Sequence, residues 1–296
     1  MILVVGATGF LGGEICRRLV GTGRPVRALV RATSERATVD ALRNAGVEIV
    51  EGDLQDRTSL DAACRGVATV ITTATTVRSS QANDSIDRTD RDSQMQLVDA
   101  AKAAGVEGFI YTSFSGNLNT DAPLRNAKRS VEQHLQQSGL MYTILRPSYF
   151  MEVWLGPALG FDFGNAKATI YGTGQNKISW IALGDVAAFA VEAVDNRAAQ
   201  NATLELGGPE ALSPLEVVRI FEEVGGRPFE VQQVPEEALR AQYEGATDPL
   251  QRSFAALTLD YANGDPIDMR ATLAAFPVPL TSVRDYARRM LTMPGH

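Results

Sequence analysis

Apolar residues recur along the first half of the chain in two alternating patterns. Short apolar runs rich in β-branched residues, at Ile2 to Val5, Arg24 to Arg31, Val47 to Glu51, Val67 to Thr72, Gly108 to Thr112 and Met141 to Leu145, predict six strands. Between them lie amphipathic segments. The first carries Phe10, Leu11, Ile15, Leu19 and Val20 on its apolar side. Others run from Ser34 to Ala45, from Arg57 to Cys64 behind the cap Asp56, from about Ser85 to Ala104, and from Pro123 to Ser138. Strands alternating with helices over residues 1–146 predict a parallel sheet with helices on both faces.

Regularity falls after Leu145. Tyr149 to Leu155 predicts a short helix, and Lys167 to Tyr171 and Lys177 to Ile181 predict short strands around Gly172-Thr173-Gly174. Asp185 to Val194 reads as a helix and Thr203 to Leu206 as a strand. Ser213-x-x-Glu216 is a capping box opening a helix to Val224. From about Pro235 onward the pattern is largely helical, with breaks at Asp248-Pro249, Gly264-Asp265-Pro266 and Pro277. The expected organisation is a core of residues 1–150, completed by about 179–206, with 151–178 and 207–296 forming a smaller, mostly helical lobe.

Ligands in such sheets bind at the carboxyl ends of the strands. The first of those ends reads ILVVGATGFLG, Ile2 to Gly12, with glycines at 6, 9 and 12. Gly6 lets the chain leave the strand sharply. Gly9 lets a diphosphate lie against bare backbone, and Gly12 lets the helix pack closely. Free N–H groups and the positive end of the helix dipole attract the phosphates, and Thr8 adds a hydroxyl at the same rim. The spacing is G-x-x-G-x-x-G rather than the commoner G-x-G-x-x-G, so its place after a strand and before a helix carries the reading.

The end of the second strand selects between cofactors. An acidic residue there serves a ribose 2′-hydroxyl, whereas an arginine accommodates a 2′-phosphate. This chain has Arg31, followed by Thr33, Ser34 and Arg36. A guanidinium with neighbouring hydroxyls predicts NADP(H) over NAD(H). Asp53 and Leu54 at the third strand tip are expected beside the adenine. The small residues of Thr72-Thr73-Ala74-Thr75-Thr76 leave room for a ribose, and Ser113 ends the fifth strand.

Composition removes several alternatives. The 296 residues are 45% hydrophobic and 21% charged, which is ordinary for a globular protein. A net charge of −7 disfavours a nucleic-acid partner. Cys16 and Cys64 read as small core residues. His134 and His296 are too few for a histidine zinc site, and no metal is expected. The start MILVVG is itself a strand, and no run is long enough to span a bilayer, so a soluble cytoplasmic protein is expected, with no membrane partner.

GATGFLG, the strand-tip Arg31, the turn Gly52 to Leu54, YTILRPSYFMEVW at Tyr142 to Trp154 and SWIALGDVAAFAVEAV at Ser179 to Val194 resemble the NmrA-like group of atypical short-chain dehydrogenases/reductases. The resemblance spans nearly the whole chain and weakens after about residue 225. It implies a doubly wound Rossmann fold with a substrate lobe, and an NADP(H) site of Gly6, Thr8, Gly9, Phe10, Leu11, Gly12, Arg31, Ser34, Asp53, Leu54, Ala74, Thr75, Lys128, Pro147 and Phe150. Ordinary members use Ser with Tyr-x-x-x-Lys. Ser113 matches the serine and Lys128 the lysine, but Leu124 stands in the tyrosine position and cannot transfer a proton. Relatives resembling isoflavone and quinone reductases manage without that tyrosine.

Lys128 is then a ribose ligand, an acid if burial draws its pKa toward neutrality, or a solvated helix residue. Ser113 is a substrate contact or a strand-end cap. Tyr149 is a substitute proton donor or, with Phe150 and Trp154, a pocket wall or core. The leading expectation is an NADPH-dependent reductase of a small apolar carbonyl, quinone or conjugated double bond. A non-catalytic NADP(H) sensor acting through a protein partner, and a scaffold that keeps only the fold, are the alternatives. A homodimer is the assembly the reading allows for.

Overall fold

A computed structural model describes residues 1–77, 81 and 83–292. His296, counted above, lies outside the described residues. The chain divides into two compact units.

The first unit comprises Met1–Ser113, Asn126–Arg146 and Val186–Leu204. Its strands are β1 (Ile2–Val5), β2 (Val26–Val30), β3 (Glu48–Glu51), β4 (Thr69–Thr72), β5 (Gly108–Thr112), β6 (Met141–Pro147) and β9 (Ala202–Leu206), the last two running just past its bounds. They form one seven-stranded sheet in the order β3-β2-β1-β4-β5-β6-β9. The pairings among the first six strands are all parallel. The order reverses at β1, so the tips of β1 and β4 diverge into separate crossovers and leave a crevice, the usual ligand position in open α/β sheets.

The crossovers are α1 (Phe10–Gly21), α2 (Arg36–Asn44), α3 (Arg57–Ala63), α4 (Ser93–Ala103) and α5 (Pro123–Gln137). Asp56 caps α3 by accepting from the amides of Thr58 and Ser59. Leu3 and Val5 of β1 pack with Leu60, Leu97, Val131 and Leu135 on one face of the sheet. One helix start and one helix face differ most from the sequence expectation. The long helix expected from Ser85 begins as a π-helical turn, Ile86–Asp92, before α4. Phe10 opens α1 but is 65% exposed, so it is not on the buried stripe of Ile15, Cys16 and Leu19.

The second unit comprises Phe114–Arg125, Pro147–Asp185 and Glu205–His296. It holds α6 (Met151–Trp154), β7 (Phe161–Asp162), β8 (Lys167–Tyr171), α8 (Pro214–Gly225), β10 (Glu230–Val234), α9 (Glu236–Gly245), α10 (Pro249–Asn263), α11 (Arg270–Ala275) and α12 (Val283–Thr292), while α7 (Leu183–Glu192) bridges the unit bounds. The capping box of Ser213 and Glu216 opens α8. The strand expected at Lys177 to Ile181 is irregular. Ile178 makes single bridges to Leu212 and Asp265, and Ile181 one to Phe150. Ile178, Ser179, Trp180 and Ile181 are all buried, so the segment lacks the alternation of a half-buried strand, and among the described residues it makes isolated bridges rather than a ladder. Instead β8 pairs in parallel with β10 and antiparallel with β7.

Candidate functional site

The glycine turn is built around two close approaches. Gly6 has φ +85, and a Cβ there would lie 2.8 Å from the amide nitrogen of Ala74. The Gly9 amide donates to the Gly6 carbonyl at 3.0 Å. A Cβ on Gly12 would lie 2.3 Å from that same carbonyl oxygen, so α1 rests directly on the turn. Gly9 is the N-cap of α1. Among the described residues no side chain caps this helix, and its first turn holds no acidic residue. Its exposed dipole end and bare amides suit a diphosphate. Thr8 and Phe10 are exposed at this rim, and Leu11 is half-buried.

Arg31 follows β2, the neighbour of β1 in the sheet. Its Nη1 donates to both carboxylate oxygens of Asp84, at 3.1 and 2.9 Å. Asp84 also accepts from Gln55 Nε2 at 2.9 Å and from the Thr89 hydroxyl at 3.2 Å. The Ser34 amide donates to the Arg31 carbonyl at 2.9 Å, closing the turn that presents the guanidinium. At the tip of β3 the Asp53 carboxylate accepts from the Gln55 amide at 2.9 Å, and Leu54 is buried in the sheet's core. No sequence pattern marks Asp84, Gln55 and Thr89. Only the fold brings them to Arg31.

Past the tip of β4, the Ala74 carbonyl accepts from Gln94 Nε2 at 3.0 Å, while Gln94 Oε1 takes the Thr72 hydroxyl at 3.0 Å. Thr75 Oγ1 accepts from the Val77 amide at 3.4 Å. These bonds hold the segment where it crowds Gly6.

Lys128 lies on α5 and is 7% exposed. Its Nζ is 3.5 Å from the Thr112 carbonyl, 4.0 Å from Asp90 Oδ1 and 5.6 Å from the Tyr111 ring centroid. Burial lowers its pKa, while the charges of Asp90 and Glu132 act in the opposite sense. That placement removes the solvated-helix reading. Ser113, 5% exposed, is tied into a charged network with Arg129 and Glu132. Glu132 also accepts from Arg146 Nη2 at 2.5 Å and from Arg129 Nη1 at 2.6 Å. His134 pairs with Asp99 at 2.8 Å in an exposed contact.

The other expected residues belong to the second unit. The Tyr149 hydroxyl donates to the Leu257 carbonyl at 3.0 Å, and its ring packs against Trp154 and Tyr261. It is 3% exposed and burial raises its pKa well above the ordinary phenol value. A phenol so placed is a core residue, which weighs against the proton-donor role. Pro147 accepts the Ser115 amide at 2.9 Å, and Phe150 is the N-cap of α6. Leu124 is 3% exposed and lines a cavity of about 10 Å³ with Leu118, Thr120, Ser253 and Asp260, which is room for about one water and no substrate. Among the described residues, no cluster of His, Cys, Asp or Glu is arranged to hold a metal. No helix among them is long and apolar enough to cross a membrane.

Comparison with known proteins adds four results. The model of the NmrA-like family matches residues 1–286. The NAD(P)H azoreductase of Xenophilus azovorans is 32% identical, over 89% of this chain and 90% of that protein. The photosystem II assembly factor Ycf39 of Synechocystis sp. is 31% identical, over 81% and 72% respectively. Among solved structures, the NADPH-dependent quinone oxidoreductase QOR2 from Escherichia coli, complexed with NADPH, superposes with a TM-score of 0.79 at 25% identity, over 99% of this chain and 100% of that one.

Proposed function

This chain belongs to the NmrA-like family, and we propose that it is an NADPH-dependent reductase of a small apolar carbonyl, quinone or conjugated double bond, azo bonds included. One observation carries the reading. On adjacent strands β1 and β2, a glycine turn without a side-chain cap stands beside a guanidinium that, among the described residues, is held through one nitrogen. That pairing matches a dinucleotide diphosphate and an additional ribose phosphate. The similarity to an azoreductase and to an NADPH-bound quinone oxidoreductase supports the same class of chemistry.

The assigned roles follow from local chemistry. Gly6, Thr8, Gly9, Phe10, Leu11 and Gly12 form the diphosphate rim. Arg31 and Ser34 hold the 2′-phosphate, Asp53 and Leu54 flank the adenine, and Ala74 and Thr75 leave room for ribose. Lys128 serves the nicotinamide ribose, and Pro147 and Phe150 supply apolar contact. When bound, NADPH supplies the hydride. Leu124 offers no proton, so the reading leaves proton delivery to Lys128, whose lowered pKa makes its ammonium a better acid than a surface lysine. Most of the rate then comes from positioning. We place the protein in the cytoplasm, where the buried thiols Cys16 and Cys64 stay reduced.

The test is NADPH consumption with a panel of quinones, enones and azo dyes. Turnover with one class supports the reading, and no turnover with any contradicts it. Leu124 and the similarity to an assembly factor favour a second reading, a non-catalytic NADP(H) sensor. A sensor requires different affinities for the oxidised and reduced cofactor, so equal affinities with turnover exclude it.

A further inference from the structure

Asp90 sits in the π-helical turn Ile86–Asp92 and is 1% exposed. Turns of this kind insert an extra residue into a helix and often re-aim a side chain at a functional site. Thr76 fixes one end of the carboxylate, its amide donating to Oδ2 at 3.0 Å and its hydroxyl at 2.5 Å. The other oxygen, Oδ1, is buried and has no hydrogen-bond partner among the described residues. It lies 4.0 Å from Lys128 Nζ. Thr76 itself is buried, so the arrangement is held on both sides.

The other groups around Lys128 do not supply this charge. Glu132, on the same helix, is engaged by Arg129 and Arg146. Arg129 is a cation and opposes a second one nearby. Tyr111, from β5, contributes a ring face, and its own pKa is pushed well above the phenol range by burial. The Thr112 carbonyl is a distant acceptor at 3.5 Å. A buried ammonium without a carboxylate partner loses its proton. Asp90 is the carboxylate here with an oxygen to spare.

We propose that Asp90 is the positioning partner of Lys128: Thr76 fixes one carboxylate oxygen, and the open oxygen keeps the lysine ammonium charged and held at the tip of β5. At 4.0 Å the pair attracts without a direct hydrogen bond, so ammonium donors remain for a ligand. The assignment of that ligand as the nicotinamide ribose rests on the reductase reading. The role of Asp90 toward Lys128 does not.

The test uses the full chain without ligand. The protein has four lysines, Lys102, Lys128, Lys167 and Lys177, so a sample carrying ¹³Cε-lysine gives a simple NMR spectrum, with Lys128 assigned by Lys128→Arg. Asp90→Asn is expected to lower the titration midpoint of Lys128 by about one pH unit or more, a tenfold loss of proton affinity. Asp90→Glu is expected to restore most of it. An unchanged midpoint in a folded Asp90→Asn variant overturns the proposal. Where Asp90→Asn does not fold, wild type decides. Its Lys128 signal must show a second, acid-side step as the neighbouring carboxylate charge is lost, and its absence also overturns the proposal. A parallel NADPH titration keeps the two claims apart, because wild type that binds no NADPH contradicts the reductase reading and leaves the lysine titration to decide this one.

Discussion

Asp84 grips Arg31 through Nη1 alone, with Oδ1 at 3.1 Å and Oδ2 at 2.9 Å. Among the described residues, Nε and Nη2 of that guanidinium make no bond. The carboxylate is 5% exposed and is further satisfied by Gln55 and Thr89, so it is a fixed anchor. One edge of the fork is held and the other is presented. This is how an arginine can be pre-organised for a phosphate without being consumed by its partner.

Arg31→Lys keeps the charge and loses the fork. NADPH is expected to bind about tenfold to a hundredfold more weakly, since a charge-assisted hydrogen bond is worth roughly 1.5–3 kcal/mol. Cofactor fluorescence titration reads this directly. Lysine binding as tightly as arginine contradicts bidentate phosphate recognition.

Gly12→Ala places a methyl 2.3 Å from the Gly6 carbonyl. The backbone must move, at a cost of about 1–3 kcal/mol, and the diphosphate rim moves with it. Thermal unfolding should show a fall of several degrees, with NADPH affinity lost. Gly21→Ala is the control. It ends α1 with nothing within 4 Å of its would-be Cβ, so stability is expected to rise by about 0.5–1 kcal/mol with affinity unchanged.

Tyr149→Phe removes one hydrogen bond to the Leu257 carbonyl and leaves the ring packing in place. The expected cost is about 1 kcal/mol of stability, with kcat within about twofold of wild type. A drop in kcat of a hundredfold or more would restore the phenol as proton donor.

The two thiols make stability depend on alkaline pH. Burial pushes Cys16 from 9.0 up to about 12 and Cys64 up to about 11. Each group is protonated in both states below pH 9. Above it the unfolded chain loses the proton first, so stability present below pH 9 is lost as pH rises toward the folded values. Urea midpoints should fall between pH 9 and 11, and Cys16→Ala should flatten that fall by up to about 1.4 kcal/mol per pH unit. An identical slope in the variant contradicts the burial argument.

The first half of the chain was legible because its local signals agree. Apolar runs, glycine stops and the cap at Asp56 all point to the same alternation, and β1 to β6 lie where those signals put them. The place of Arg31 at a strand tip was legible because strand tips converge in any doubly wound sheet. Its anchor was not, since Asp84 is 53 positions away and reaches it only through the folded crossover. Asp90 was hidden in the same way, as an acidic residue in what reads as an ordinary helix. In the second half, Glu230–Val234 is mostly polar and exposed, so no alternation announced β10. Phe10 departs from its expected face because helical periodicity assigns a face without showing that the first residue of α1 is left 65% exposed.

The central claim is that the tips of β1 and β2 hold a nucleotide carrying an additional phosphate. Dissociation constants for NADPH and NADH, measured on wild type and Arg31→Ala by fluorescence titration, test it most directly. The account predicts that wild type prefers NADPH by about tenfold or more, and that Arg31→Ala removes this preference while leaving NADH binding nearly unchanged. Equal affinity of wild type for the two nucleotides, or a preference that survives loss of Arg31, would contradict it.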